Sequence, residues 1–598
     1  MRENRPVTAR GYPLPVAVAL LLGTLAFAWA ADGGHARAAQ AEEFLVATHE
    51  VGRHGGQLVV TQRSEPRTLN PVIVADVPSR EVINLTTGDL IHVNRETQRP
   101  EPALARSWTV SPDGRRTTLT LRRGIRFSDG DPFDADDVVF SFEVYQDPKI
   151  DSPQRELLSV GGRPIAVRKI DQYTVQFDLA EPRAVGERLF DTVAMLPKHR
   201  LEPVFREGRL AEAWRLGTAP SDIAGLGPFR FQQYVPGQRL ALERNPHYWK
   251  TDRAGGRLPY LDRVTFVTAT SEDAQVLRFQ AGEADVLARV GAENFAALER
   301  DQASRGYALK DLGPGLEYSM LFFNLNDLTE AQSAIAAKQR WFGLTAFRQA
   351  VSAAIDRDSI VRLVYRGRAT PLAGHVTPGN RLWTNGQLRA PARSTARAKE
   401  LLRQAGVRTS AGGQWVDAQG QPLEFSILVN ASNPVLNAMA TIIQSDLSQI
   451  GLRVRIVPFE FRAMLDRILN THEYEAALLS LGGGDGDPTS EMNVWLSSGP
   501  QHLWHLGQKS PATPWESEID RLMRAQATML DPSARKRAYD RVQQIVADDL
   551  PFIFLVSPNV LVGSRRDLGN FRPAVLEPQV LWNADELFWR RPSPGPSR

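Results

Sequence analysis

The segment LSLGGGDGDPTSEMNVW, Leu479–Trp495, brings three consecutive glycines, two carboxylates, a proline and a tryptophan close together. A carboxylate flanked by backbone N–H groups can hold a cation or a hydroxyl through charge-assisted hydrogen bonds. Asp485 and Asp487, with Gly484 beside them, are therefore candidate ligand contacts. One Gly-Asp-Gly-Asp lacks the spaced oxygen ligands of a calcium loop. The chain has no Gly-x-x-x-x-Gly-Lys-[Ser/Thr] phosphate loop. Asp487-Pro488 is also ordinary turn chemistry, so a turn or cap role stands beside ligand contact.

Three tryptophans, Trp383, Trp495 and Trp504, are candidates for the apolar walls of a ligand cleft, with a core role equally open to each. His502 and His505 share a His-x-x-His spacing, which places two imidazoles on one face of a helical turn. No third ligand completes a metal set, so both read as polar wall residues and no metal is assigned. The chain has no cysteine, no Gly-x-Ser-x-Gly elbow and no His-Glu-x-x-His. Those absences remove the commonest nucleophile and metallohydrolase arrangements, thiolate metal sites and disulfides. Asp136-Asp137 reads as a helix-start pair stabilised by the helix dipole.

These groups need elements to hold them. LEFSILV (Leu423–Val429) reads as a strand. Leu436, Met439, Ile443, Leu447 and Ile450 then recur at helical spacing before Gly451. LRVRIVPF is a second strand, Ala463–Leu469 a helix, and EAALLSL (Glu475–Leu481) a third strand. Such a β-α-β-α-β run implies right-handed crossovers and a parallel sheet. RVTFVTATSEDAQVLRFQAGEADVLA repeats the pattern, with Ser271 or Glu272 opening a helix and Gly282 closing it. Two such units far apart in sequence imply two lobes. Gly482–Gly484 then falls just beyond a strand's carboxyl end, where open α/β sheets bind ligands.

Four stretches resemble the dipeptide/oligopeptide class (family 5) of extracellular solute-binding proteins, the receptors of ABC importers. They are ALARSWTVSPDGRRTTLTLRRGIRFSDGDPFDADDVVFSFE (Ala103–Glu143), GLGPFRFQQYVPGQRLALERNPHYWK, EYSMLFFNL (Glu317–Leu325) and FRQAVSAAIDRDSIVRLVYRGRATPLAG. The resemblance covers nearly the whole chain after the leader. It implies an α/β, bilobal class II fold with an extra inserted subdomain and two lobes joined by two crossing strands. The first lobe is expected at 55–320, with the insertion at about 75–222, returning at 556–598; the second lobe is expected at 321–555. EYSMLFFNL is similar to the family's crossing strand and puts Tyr318 among the ligand candidates; PFIFLVS (Pro551–Ser557) is the other expected crossing. Peptide-binding members pair the ligand's ammonium with an aspartate in a Trp-x-x-Asp-x-x-Asp-Pro-like setting. Here Asp487-Pro488 matches the Asp-Pro, but Gly484 stands in the aspartate's place. The resemblance therefore implies a monomeric receptor for a peptide or similar solute, working with an inner-membrane ABC permease and without a cofactor. A non-peptide solute stays open as the alternative, with a periplasmic hydrolase and a chaperone-like protein as further classes.

Arg2, Arg5 and Arg10 precede the apolar run Val16–Ala30 and a small-residue stretch, an export-signal pattern with cleavage favoured after Ala41. The 598 residues are 42% hydrophobic and 23% charged, which is globular composition. A formal charge of +3 becomes +1 once residues 1–41, with four arginines against two acids, are removed. A near-neutral protein offers no electrostatic footprint for nucleic acid. The terminal RRPSPGPSR reads as a disordered tail. A mature periplasmic form beginning near Glu42, without a lipid anchor, is expected. N-terminal sequencing of a periplasmic extract checks it; a full-length chain retained in the membrane would contradict it.

Overall fold

The computed structural model describes residues 43–591 except 185, 192, 413 and 485. The export segment, Asp485 and the terminal tail lie outside the described residues. Two sheets dominate the rest. In the first, Arg263–Thr268, Gln57–Gln62 and Val286–Leu287 run parallel in that spatial order, followed by the antiparallel Val556–Arg565 and then Tyr307–Pro314. Phe229–Val235 and Arg239–Arg244 extend the other edge. In the second, Arg453–Phe459, Glu424–Asn430 and Ala476–Leu481 are parallel, followed by the antiparallel strands Tyr318–Phe323 and Phe552–Phe554. Both sheets thus place their second, first and third parallel strands in that order, with an antiparallel strand next to the third. This is the bilobal α/β architecture.

Local sequence accounts for these elements. The side chain of Ser271 caps the helix Glu272–Ala281 by accepting from Ala274 N, and Gly282 ends it at φ 85°. Asn433 caps Pro434–Gln449, whose Leu436, Met439, Ile443 and Leu447 are buried against the sheet. The helix expected at Ala463–Leu469 runs from Phe461 to Asp466 and continues as a π turn, Arg467–Thr471. The antiparallel four-stranded sheet Ala105–Val110, Arg116–Leu121, Thr174–Asp178 and Ala166–Asp171 carries the helix Ala135–Gln146 and shares the first lobe's core. Asp137 completes a capping box there, as the helix-start reading requires.

The structure moves the first crossing and keeps the second within Pro551–Ser557. Tyr318–Phe323 lies wholly within the second sheet because its side chains alternate between two cores: Leu321 and Phe323 face one, Met320 and Phe322 the other. The chain changes lobes at 315–317 and again at Leu555, between Phe552–Phe554 and Val556–Arg565. The two crossings are tied together: Gly315 N donates to Pro558 O at 2.9 Å, and Gly315 O accepts from Ser557 Oγ at 3.2 Å.

The lobes touch away from the crossings. Gln98, buried and held at φ 62°, donates from Nε2 to Gly379 O at 2.8 Å and accepts from Arg381 N at 3.0 Å. Ala184 N donates to Ala527 O at 2.9 Å. These contacts cross the cleft and belong to a closed arrangement. Gln98→Ala is expected to shift the unliganded protein toward an open form. Solution scattering would show a larger radius of gyration than wild type without solute and a smaller difference at saturation; identical profiles in both states would contradict this.

Candidate functional site

The parallel strands of the first sheet end at Gln62, Thr268 and Leu287, and those of the second at Asn430, Phe459 and Leu481. Side chains from these ends meet through the crossing at 315–317. Gln62 Nε2 donates to Glu81 at 2.7 Å. Arg289, two residues beyond Leu287 and held at φ 52°, forms an ion pair with Glu577. Positive φ in a non-glycine residue is strained and tends to occur where side-chain aim matters. Glu317 hydrogen-bonds Ser480, whose Oγ lies 3.0 Å from Ser319 Oγ. Burial pushes the Glu81 carboxyl up, with the Gln62 hydrogen bond pulling it back in part. Burial also pushes Glu317 up, against the pull of Arg289 and of Ser480. Burial raises the Tyr365 hydroxyl to about 12, beside Ser319 and Glu317.

Three carboxylates thus share one guanidinium. Glu81 feels Glu577 as a repelling charge and Arg289 as an attracting one. A cleft with that imbalance, in which Glu81 is half-buried while Glu317 and Glu577 reach solvent, favours a cation or a donor-rich ligand.

The glycine loop closes this cleft from the second lobe. A side chain at Gly483 would meet Leu316 O at 2.6 Å, so the loop packs backbone to backbone on the crossing. Gly484, at the position of the family's aspartate, adopts φ 57°, and a Cβ there would lie 2.7 Å from Ser490 Oγ. Asp487 does not face an open cleft. It caps Pro488–Glu491 by accepting from Thr489 N at 2.9 Å, and it receives both Arg535 nitrogens at 2.6 and 2.8 Å. Burial alone would raise its carboxyl; the Arg535 hydrogen bonds outweigh that and hold it below the usual range. Arg535 also bonds Gln526 and Thr489 and lies 4.7 Å over the Trp383 ring.

The aromatic candidates divide. Trp495 and Trp504 are core side chains, each 1% exposed, donating to Glu491 at 2.9 Å and Glu516 at 3.0 Å. Tyr318 is buried against Phe554, its hydroxyl pushed up by burial. Ring contacts with Phe552 and Phe554 account for the burial of all three. Trp383 lines a cavity of about 370 Å³ between the inserted subdomain (Val110, Thr117, Leu179, Glu187) and the second lobe (Leu530, Arg535). His502 turns inward to Glu516 at 3.2 Å, while His505 lies 3.6 Å from Asp327, so the two imidazoles do not converge.

Sequence reasoning missed Glu81, Arg289, Glu317 and Glu577. Arg289 follows an expected strand and Glu317 immediately precedes Tyr318, so strand ends were the available signal for both. Glu577 lies 288 residues from its partner, and nothing local marks it.

Residues 99–502 match the model of the bacterial extracellular solute-binding proteins, family 5, and the chain belongs to that family. It is 26% identical over 562 residues to a probable ABC transporter-binding protein of Deinococcus radiodurans, covering 90% of this chain and 92% of that one. It is 26% identical over 538 residues to the periplasmic alpha-galactoside-binding protein of Rhizobium meliloti, covering 84% and 76%. The structure of the oligopeptide-binding protein AppA of Bacillus subtilis in complex with a nonapeptide superposes with a TM-score of 0.66 at 23% identity, covering 90% of this chain and 100% of that one. No described helix is long and apolar enough to cross a membrane.

Arg535→Met leaves the Asp487 carboxylate buried without its guanidinium, which costs about 3–5 kcal/mol. Urea denaturation of the unliganded protein measures the loss. An unchanged midpoint would contradict the structural role of the pair.

Proposed function

We propose that this chain is the exported receptor of an ABC importer, which closes on a peptide or peptide-like solute between the strand ends and presents it to an inner-membrane permease. The observation that carries this reading is the acidic excess of Glu81, Glu317 and Glu577 over Arg289 at the meeting of the two sheets. An ammonium or guanidinium on the solute would compensate it from the first lobe and the crossing. Such a solute touches both lobes, so its binding energy favours the closed state over the open one. The lobes correspond in this reading to 55–314 with 556–591 and to 318–554. The solute is released unchanged.

A second reading, a hydroxyl-rich oligosaccharide, is favoured by Gly484. Its left-handed backbone leaves no carboxylate where peptide-binding members are expected to hold the ligand's ammonium. The relative that binds an alpha-galactoside, by its name, supports the same alternative.

Native mass spectrometry of protein from a periplasmic extract identifies the retained solute, and calorimetry with that solute then tests the site. Glu317→Gln is expected to weaken a cationic solute by about 10- to 150-fold, the value of a charged hydrogen bond of about 1.5–3 kcal/mol. Unaltered affinity would place the solute elsewhere.

A pH dependence follows from the same groups. A carboxyl raised above 4.5 in the folded chain holds its proton more tightly there than in the unfolded chain. Its favourable contribution is complete below that unfolded value and is lost as pH rises through the folded one. The unliganded protein is therefore expected to lose stability on that interval, while a cationic solute binds more tightly across it. Glu317→Gln should flatten both slopes; slopes identical to wild type would count against Glu317 as the titrating group.

A further inference from the structure

A second charged cluster lies in the first lobe. Asp89 precedes the strand Ile91–Val93, His92 sits on it, and Asp191 ends the 3-10 helix Gly186–Asp191. His92 Nδ1 is 3.8 Å from Asp89 Oδ2 and 3.4 Å from Asp191 Oδ1. All three ligand atoms lie within 4.8 Å of one another. Two ligands each about 2.1 Å from one ion at a tetrahedral angle are about 3.4 Å apart. His92 therefore already stands at ligand spacing from both carboxylates.

Two further observations concern the surroundings. The cluster lines a cavity of about 130 Å³, walled also by Glu101, Lys250 and Asp585. That is room for several waters to complete a coordination shell. Asp191 is held in place by Val93 N, which donates to Oδ1 at 2.6 Å, and by Arg95 Nη1, which reaches Oδ1 at 3.3 Å, Oδ2 at 3.0 Å and Val93 O at 2.6 Å. The buried Nε of Arg95 has no hydrogen-bond partner among the described residues.

We propose that Asp89, His92 and Asp191 form a binding site for a divalent transition-metal ion. One imidazole with two carboxylates suits zinc or manganese more than calcium, which takes oxygen ligands throughout. The ion would join the strand Ile91–Val93 to the helical turn ending at Asp191, and so brace the root of the inserted sheet.

The test uses the mature protein stripped with chelator and titrated calorimetrically with zinc chloride, then manganese chloride. One saturable ion per chain is expected, weakened at least about tenfold by His92→Ala and by Asp89→Asn. A zinc-soaked wild-type crystal should give an anomalous difference peak about 2.1 Å from His92 Nδ1, a readout independent of whether the variants fold. Either no zinc or manganese uptake below about millimolar, where binding free energy is only about 4 kcal/mol, uptake unchanged in both variants, or a peak elsewhere overturns the proposal.

Discussion

Two short crossings constrain everything else in this molecule. Because the chain passes from one sheet to the other at 315–317 and at Leu555, because Gly315 binds Pro558 across that gap, and because Ala369–Pro371 pairs with the start of Val556–Arg565, the two sheets share one hinge. Each sheet carries an antiparallel strand beside its third parallel strand. That common order points the carboxyl ends of both parallel sets at the crossing. The cleft is therefore a consequence of topology before any ligand chemistry is chosen.

Chemistry then enters through side chains placed by that geometry. Glu317 is the residue that leads into the second sheet, and Ser480 is near the end of the strand beside it, so the hinge itself contributes to the cleft floor. Arg289 and Glu577 come from opposite parts of the chain and meet only in the folded protein. The second lobe adds backbone rather than charge: its glycine loop packs on Leu316, and its nearest described aspartate is committed to Arg535. Recognition in this reading rests on the first lobe and the hinge, while the second lobe closes over them. The contacts of Gln98 and Ala184 with the second lobe are hydrogen bonds to backbone, weak enough individually for solute to decide the balance.

Much of the fold was legible because it is written locally. Hydrophobic periodicity, Ser271 at a helix start, and Gly282 and Gly451 just past helix ends specify the parallel units without reference to the rest of the chain. The crossing strand was displaced by a few residues because a run such as YSMLFF is apolar on both faces and does not announce which sheet it joins. The site was less legible. Asp487 looks identical in sequence whether it faces solute or Arg535, and the partner that decides lies 48 residues away. Trp495 and Trp504 show the same ambiguity, resolved by buried glutamates at positions 491 and 516. Trp383 kept a cavity because Arg535 covers one face of its ring without filling the space beside it.

The most direct measurement is a crystal structure of the protein with the solute it retains on purification. The strand-end account predicts density for that solute between Arg289 and Glu317 on one side and the 481–486 loop on the other, with both lobes in contact. Density confined to the Trp383 cavity or to the first lobe's Asp89–Asp191 cavity, with the strand ends holding only water, would contradict it.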